Sequence, residues 1–305
     1  MEQNKKILHS IRGDEEEDQI LLEPFSTIYK VLRKECFVLP YAFNHWLNVP
    51  KDKLVAIIEI GDIFYHFWLV TEDIQDSADF REGFPTSHKI FGTAGAMNSS
   101  AYGLCIAFEK VLALNHPKGS QVFTDGLLKT SRGQGMGLYW KHNNICPSKS
   151  AYKKAVLGKS AQVLQCVIDL MQLFSDCKKD FTYLTQTFGY YFQIRKDYFD
   201  FLEKDNKTFA SDLFEGEFSF PIIHAIQSHP EDTRVIEMLR KRVKDIDLKR
   251  DCVELLNQFG SFSHTKSVLE DLDKELRDEI KRLGGNPLLE KFLDSLLDWK
   301  TKNVP

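Results

Sequence analysis

The chain has 305 residues, 43% hydrophobic and 12% aromatic, enough apolar material for a large core, so a disordered or fibrous protein is excluded. Its 40 Lys and Arg against 44 Asp and Glu leave a formal net charge of −4, which supplies no electrostatic footprint for nucleic acid or an anionic membrane surface. Small-molecule chemistry is the better starting expectation.

The first 19 residues are polar and carry the acidic run Asp14 to Asp18, unlike a signal peptide or an acid-poor transit peptide. We expect a polar arm over residues 1–19 and one body over 20–305, because no Gly/Ser/Pro-rich linker or shift of composition divides the remainder. Apolar residues then recur at helical spacing: Ile57, Ile60, Phe64 and Phe67; Val163, Val167, Leu170, Met171 and Phe174; Leu269, Leu272 and Leu276. Turn signals separate these segments at Gly83 to Pro85, His116 to Gly119, Cys146-Pro147, Phe220-Pro221, His229-Pro230 and Gly284 to Pro287. The pattern predicts an all-α fold of ten or more helices, a bundle around a central cavity. No apolar run approaches the roughly 18 residues of a membrane span. The cysteines Cys36, Cys105, Cys146, Cys166, Cys177 and Cys252 lie far apart with no C-x-x-C, which fits a reducing, cytoplasmic setting. Cys105, Cys166 and Cys252 read as core residues rather than nucleophiles.

Two helical stretches end in acids. In the first, Phe67 and Trp68 precede Glu72-Asp73-Ile74-Gln75-Asp76, where the i,i+4 and i,i+3 spacings put Glu72, Asp73 and Asp76 on one face, a set of hard oxygen ligands suited to Mg²⁺ against a diphosphate. In the second, aromatic residues from Tyr190 lead to Gln193, Asp197 and Asp200, again on one face, with Lys196 between them. Two such helices pointing their acids into one cavity is how a bundle builds a metal site; each alone also reads as a solvated helix end. Arg81, Lys159 and Lys207 offer cations for phosphate. Arg132-Gly133-Gln134-Gly135-Met136-Gly137 neither follows a strand nor matches a phosphate-binding loop, so it reads as a close helix contact. The basic stretch from Arg240 to Arg250, interleaved with Val243, Ile246 and Leu248, reads as a solvated helix face.

These residues resemble the trans-prenyltransferases of isoprenoid diphosphate synthesis, most closely animal and fungal geranylgeranyl diphosphate synthases. The likeness runs through Ile20 to Phe25, Ala42 to Leu47, Arg81 with Gly83-Phe84-Pro85 and His88, Gly133-Gln134-Gly135, Leu170 to Ser175, Phe192 to Arg195, Glu215-Gly216 with Phe218 to Pro221, and Gly284 to Pro287. The resemblance implies an isoprenoid synthase bundle, a homodimer paired through helices, and two aspartate-rich motifs that hold Mg²⁺ and an allylic diphosphate. It gives Glu72, Asp73 and Asp76 to the first motif and Asp197 and Asp200 to the second. It gives catalytic work to Asp73, Asp76, Lys159 and Gln193, and substrate contacts to Arg81, Lys159, Gln193 and Lys207. The chain departs from the family pattern at Lys196, where a metal ligand belongs, and at Glu217, where the family has Lys; a compensating ion pair between the two is one hypothesis. On the isopentenyl side Arg33-Lys34-Glu35-Cys36, Tyr65 and Glu82 replace the usual residues, and Gly137, Ala161 and Gln162 alter the allylic side. Phe67 and Trp68 stand where the family limits chain length; they are either a pocket floor or ordinary core aromatics.

The resulting expectation is a Mg²⁺-dependent terpene synthase that ionises an allylic diphosphate, geranyl diphosphate in the first instance, and releases a small olefin such as an acyclic monoterpene of the ocimene or myrcene type. Two rivals remain: a prenyltransferase that still condenses an allylic diphosphate with isopentenyl diphosphate, and a non-catalytic partner subunit of one.

Overall fold

A computed structural model describes residues 15–27, 38–203, 205 and 208–304. Among them lie thirteen α-helices, two strands of two residues each and a closing 3₁₀ turn, so the fold is all-α as expected. The helices break where Pro and Gly foretell it. Pro221 occupies the first turn of a helix, and Asn286 caps the helix that opens with Pro287, accepting from Leu288 and Leu289 N–H at 3.2 Å. The chain forms two compact units, Met1–Gly126 with Cys166–Lys178, and Leu127–Gln165 with Lys179–Pro305.

The first unit begins with α1 (Glu15–Ser26), α2 (Val38–Leu47) and α3 (Lys51–Asp76). The acidic run opens α1 because carboxylates favour the positive end of a helix dipole, so the expected boundary between arm and body at residue 20 falls inside a helix. Asp18 is buried there and accepts from the Tyr102 hydroxyl on α4 (Ser87–Ala113). Phe25 lies against Gly103 of α4, where a Cβ would come within 2.9 Å of its ring, and the Phe25 N–H donates to Ser99 Oγ at 3.0 Å. In α3, Ile57, Ile60 and Phe64 are fully buried, and Gly61 admits the Val167 methyl to 2.3 Å of where a Cβ would be.

By length and composition α3 is apolar enough to cross a membrane, which corrects the expectation that no such stretch exists. That expectation followed uninterrupted apolar runs, and Glu59 and Asp62 break this one without lowering its mean hydropathy far. With 56% of its apolar window buried, α3 has the surroundings of a core helix.

The second unit takes its residues from α5 (Gly119–Asn143) beyond Gly126 and from α6 (Lys149–Gln172) up to Gln165, then continues through α7 (Thr182–Asp200), α8 (Ser211–Glu215), α9 (Phe220–Ser228), α10 (Arg234–Arg240), α11 (Ile246–Gln258), α12 (Ser261–Arg282) and α13 (Pro287–Ser295). Two close crossings lock α5, α6 and α7 together. A Cβ on Gly133 would lie 2.6 Å from the Ala155 carbonyl oxygen and 2.7 Å from the Lys159 nitrogen, and one on Gly189 would lie 2.3 Å from Ala161 Cα. The glycine-rich segment is thus a helix contact, as read, though through Gly133 alone: nothing comes within 4 Å of a Cβ at Gly135 or Gly137. Of the cysteines read as core, Cys166 and Cys252 are buried, but Cys105 is exposed on the outer face of α4. In the basic stretch, Arg240, Lys241, Arg242, Lys244 and Arg250 are exposed as expected, while Lys249 is buried and donates to the Phe209 carbonyl at 2.6 Å.

Candidate active site

Helix α3 stops at Ser77, which takes a left-handed conformation (φ 56°, ψ 33°) and donates its N–H to the Ile74 carbonyl. The final turn therefore holds Glu72, Asp73 and Asp76 at the negative end of the helix dipole, where carboxylates call for a cation. A hairpin supplies one. Strands β1 (Phe80–Arg81) and β2 (Phe84–Pro85) pair Arg81 with Phe84 across Glu82 and Gly83, whose φ values of 51° and 80° are the two positive angles that a two-residue type I′ turn needs. This turn brings the Arg81 Nε to 2.8 Å from Asp73 Oδ1 and its Nη2 to 3.3 Å from Glu72 Oε2. Burial pushes Asp73 above the ordinary carboxylate value, against the pull of Arg81. For Arg81 burial works against the charge, yet Asp73 and Glu72 together hold the guanidinium above its usual value. Glu72 and Asp73 are buried, Asp76 is half-buried, and Arg81, assigned by sequence to a phosphate, here holds carboxylates. One turn earlier Phe67 is half-buried, and Trp68 is buried with its indole N–H lacking an acceptor among the described residues.

In the second unit, α6 and α7 join through a polar chain that the close crossing at Gly189 makes possible. Ser160 Oγ donates to Gln193 Oε1 at 2.6 Å, and Gln193 Nε2 donates to Asp197 Oδ1 at 2.8 Å. Asp197 Oδ2 accepts from the Tyr152 hydroxyl at 2.5 Å and from the Phe220 N–H, in the first turn of α9, at 2.7 Å. Asp200 accepts from the Ser211 N–H and hydroxyl at 3.0 and 2.7 Å and from the Asp212 N–H at 3.2 Å. Burial raises both Asp197 and Asp200 despite these donors and the charge on Lys196. Asp212 is raised further, by burial and then by the fields of Asp200 and Asp197. Glu217 finds its ion pair in Lys141, at 2.9 Å, with Lys196 a lesser contributor to its field.

The structure brings Lys159, Gln193, Asp197 and Asp200 into the second unit and Glu72, Asp73, Asp76 and Arg81 into the first. Lys207 and Arg33 to Cys36 lie outside the described residues. Sequence reasoning missed Tyr152, Asp212 and Lys141, which belong to no spaced acidic motif and join the site only through tertiary packing. Among the described residues no three His, Cys, Asp or Glu groups stand ready-gathered around a metal position. The donors are of a kind suited to a hard divalent cation: carboxylate oxygens at a negative helix end, with burial outweighing Arg81 at Asp73.

A model of the polyprenyl synthetase family matches residues 19–256. The chain belongs to that family. This member is 46% identical over 291 residues to a terpene synthase of Matsumurasca onukii, an alignment covering 94% of this chain and 96% of that protein. It is 36% identical over 292 residues to a geranylgeranyl pyrophosphate synthase of Mucor circinelloides f. lusitanicus, covering 94% and 96%. A geranylgeranyl pyrophosphate synthase of Metarhizium anisopliae matches at 37% over 297 residues, covering 96% and 89%. The resemblance read from the motifs is therefore correct, and the family member is an enzyme of trans-isoprenyl diphosphate chemistry, a terpene synthase or a prenyltransferase.

Proposed function

We propose that the chain is a terpene synthase that ionises an allylic diphosphate, geranyl diphosphate in the first instance, and releases a small acyclic olefin and diphosphate. The observation that carries this reading is the contrast on one hairpin. Arg81 is retained and bound to Glu72 and Asp73, while the next residue, Glu82, presents an exposed carboxylate where the resemblance expects an arginine for a second diphosphate. The extent of identity with the Matsumurasca onukii terpene synthase supports it.

In this reading residues 20–305 act as one isoprenoid synthase domain. Glu72, Asp73 and Asp76 hold Mg²⁺, with Asp197 and Asp200 as a second acidic set. Bound there, Mg²⁺ supplies Lewis-acid stabilisation of charge on the diphosphate oxygens. Arg81 in the first unit, and separately Lys159 in the second, is a cation suited to stabilise the negative charge a diphosphate gains as its C–O bond breaks. Gln193 is fixed by Ser160 and Asp197 and keeps the second acidic set in register. Phe67 and Trp68 line the first turn beyond the acids, exclude water from the allylic cation and favour a short chain. The cation loses a proton to the departing diphosphate, which gives the olefin.

The outer face of α4 supports a homodimer. Met97 and Leu112 are 57% and 56% exposed there, with Ala101 and Cys105 exposed between them. Among the described residues Cys105, Cys146, Cys166, Cys177 and Cys252 are thiols outside any disulfide, which supports a reducing, cytoplasmic setting.

The test is purified protein with Mg²⁺ and geranyl diphosphate, with and without isopentenyl diphosphate, read by mass spectrometry, with Asp73→Ala as control. An olefin made without isopentenyl diphosphate and lost in the control supports the proposal. Longer diphosphates made only with isopentenyl diphosphate decide for the prenyltransferase, and no product in either arm or with farnesyl diphosphate in place of geranyl diphosphate favours a partner subunit.

A further inference from the structure

Glu217 follows Gly216, whose left-handed conformation (φ 75°) ends α8, and precedes Ser219, the residue that caps α9. Its carboxylate accepts from Lys141 Nζ at 2.9 Å, and the Lys141 side chain is only 7% exposed. A lysine this buried needs an anion, and Glu217 is the anion in place. Two further cations act on the same carboxylate. Burial alone is the largest influence and raises Glu217, yet Lys141, then Lys159, then Lys196 hold it below the ordinary value. Ser219, in the same loop, is 4% exposed, and its hydroxyl has no partner among the described residues, so the loop also holds an unsatisfied buried donor.

We propose that Glu217 is a resident counter-anion of the cluster formed by Lys141, Lys159 and Lys196, and that it competes with diphosphate for these cations and keeps the released product loosely held. The inference rests on the reading above that Lys159 meets a diphosphate, and it deepens that reading by assigning a role to two residues outside the acidic motifs. A carboxylate and a diphosphate cannot share one ammonium at full strength, so each oxyanion that binds must draw the lysines away from Glu217. An enzyme that discards diphosphate whole at every turnover gains from such a competitor, because tight retention of that product would limit its rate.

The experiment is calorimetric titration of the full chain with inorganic diphosphate in the presence of Mg²⁺. Glu217→Gln is expected to bind about tenfold tighter than wild type, as one charge-assisted competitor is removed. Glu217→Asp, which keeps the charge, is expected to stay close to wild type. Lys141→Gln is expected to bind several-fold more weakly, since the freed Glu217 then leans on Lys159 and Lys196. Equal or weaker binding by a folded Glu217→Gln protein overturns the proposal. Should that variant not fold, unchanged binding by Lys141→Gln overturns it instead. Olefin formation is read separately on the wild type: an active terpene synthase whose Glu217→Gln affinity does not move keeps the functional reading and loses this one.

Discussion

Asp73 is pulled in two directions. It is buried, which favours the protonated form, and it sits beside Arg81, which favours the charge; burial is the larger influence. Its position in the last turn of α3 adds the negative end of the helix dipole, so its charged form is favoured only with a cation close by. Arg81→Met removes that cation. Breaking a fully buried pair this way costs about 3–5 kcal/mol, and the cost is smaller here because the Arg81 side chain is 22% exposed and Asp73 can take up a proton. Urea unfolding near neutral pH measures the loss. Adding Mg²⁺ is expected to restore more stability to Arg81→Met than it adds to wild type, because the ion then replaces the missing guanidinium. An equal increment in both proteins would show that Mg²⁺ and Arg81 do not share these carboxylates.

At the scale of helices, the site depends on how closely α5, α6 and α7 approach. Gly133→Ala sets a methyl 2.6 Å from a backbone carbonyl oxygen and Gly189→Ala sets one 2.3 Å from a backbone Cα, so neither neighbour can rotate aside. Both substitutions are expected to lower the melting temperature and, by displacing Lys159 and Gln193, to reduce turnover more than stability alone explains. Gly135→Ala meets open space on the same helix and is expected to stabilise by up to about 1 kcal/mol. Thermal melts of the three variants check this, and a stable Gly133→Ala would remove the argument. The second element to respond is α9 against α12. His224 stacks on His264 with ring centres 4.3 Å apart and touches Ser261 and Ser228. Burial, then His264, Lys149 and His229, lower His224 from an ordinary 6.5 to about 4. The unfolded chain therefore binds more protons than the folded one between those values, so stability is full above the ordinary value and falls as pH drops toward about 4. His224→Phe, which keeps the ring, is expected to flatten that slope in urea midpoints taken across the window; an unchanged slope would place the acid sensitivity elsewhere. These cases also show what the sequence could display. Helices, their breaks and the two acidic ends were legible because each is written in neighbouring residues: Pro221, Asn286 with Pro287, and the i,i+4 spacing of Glu72 and Asp76. Gly133 was legible as a helix contact but not distinguishable from Gly135, since both lie in the same motif and only the partner helix separates them. Lys141, Tyr152 and Asp212 were not legible because their meaning comes from residues 76, 45 and 12 positions away in the chain, which no local pattern records.

For the molecule as a whole, the acidic sets make stability depend on pH and metal together. Asp73 in the first unit and Asp197, Asp200 and Asp212 in the second are all raised by burial, so in the absence of a bound cation the folded chain holds protons that the unfolded chain has released. The sign follows directly: stability from these groups is fully present below the ordinary carboxylate value of 3.8 and is lost as pH rises through the raised values. Mg²⁺ has the opposite dependence, because it binds the deprotonated carboxylates and must displace any proton they hold. Its stabilising effect is therefore expected to be small at about pH 5 and larger at about pH 8, read as the rise in melting temperature at fixed Mg²⁺. Asp73→Asn and Asp197→Asn separate the contributions, since the two residues belong to different units and lie in different hydrogen-bond sets. If both sets bind the ion, each variant loses part of the Mg²⁺-dependent rise and the pair loses nearly all of it. If Asp73→Asn abolishes the rise while Asp197→Asn leaves it whole, then Lys196 has ended metal binding at the second set, and Asp197 serves to fix Gln193, Tyr152 and the start of α9. A rise that does not vary with pH would mean that Mg²⁺ acts at neither set.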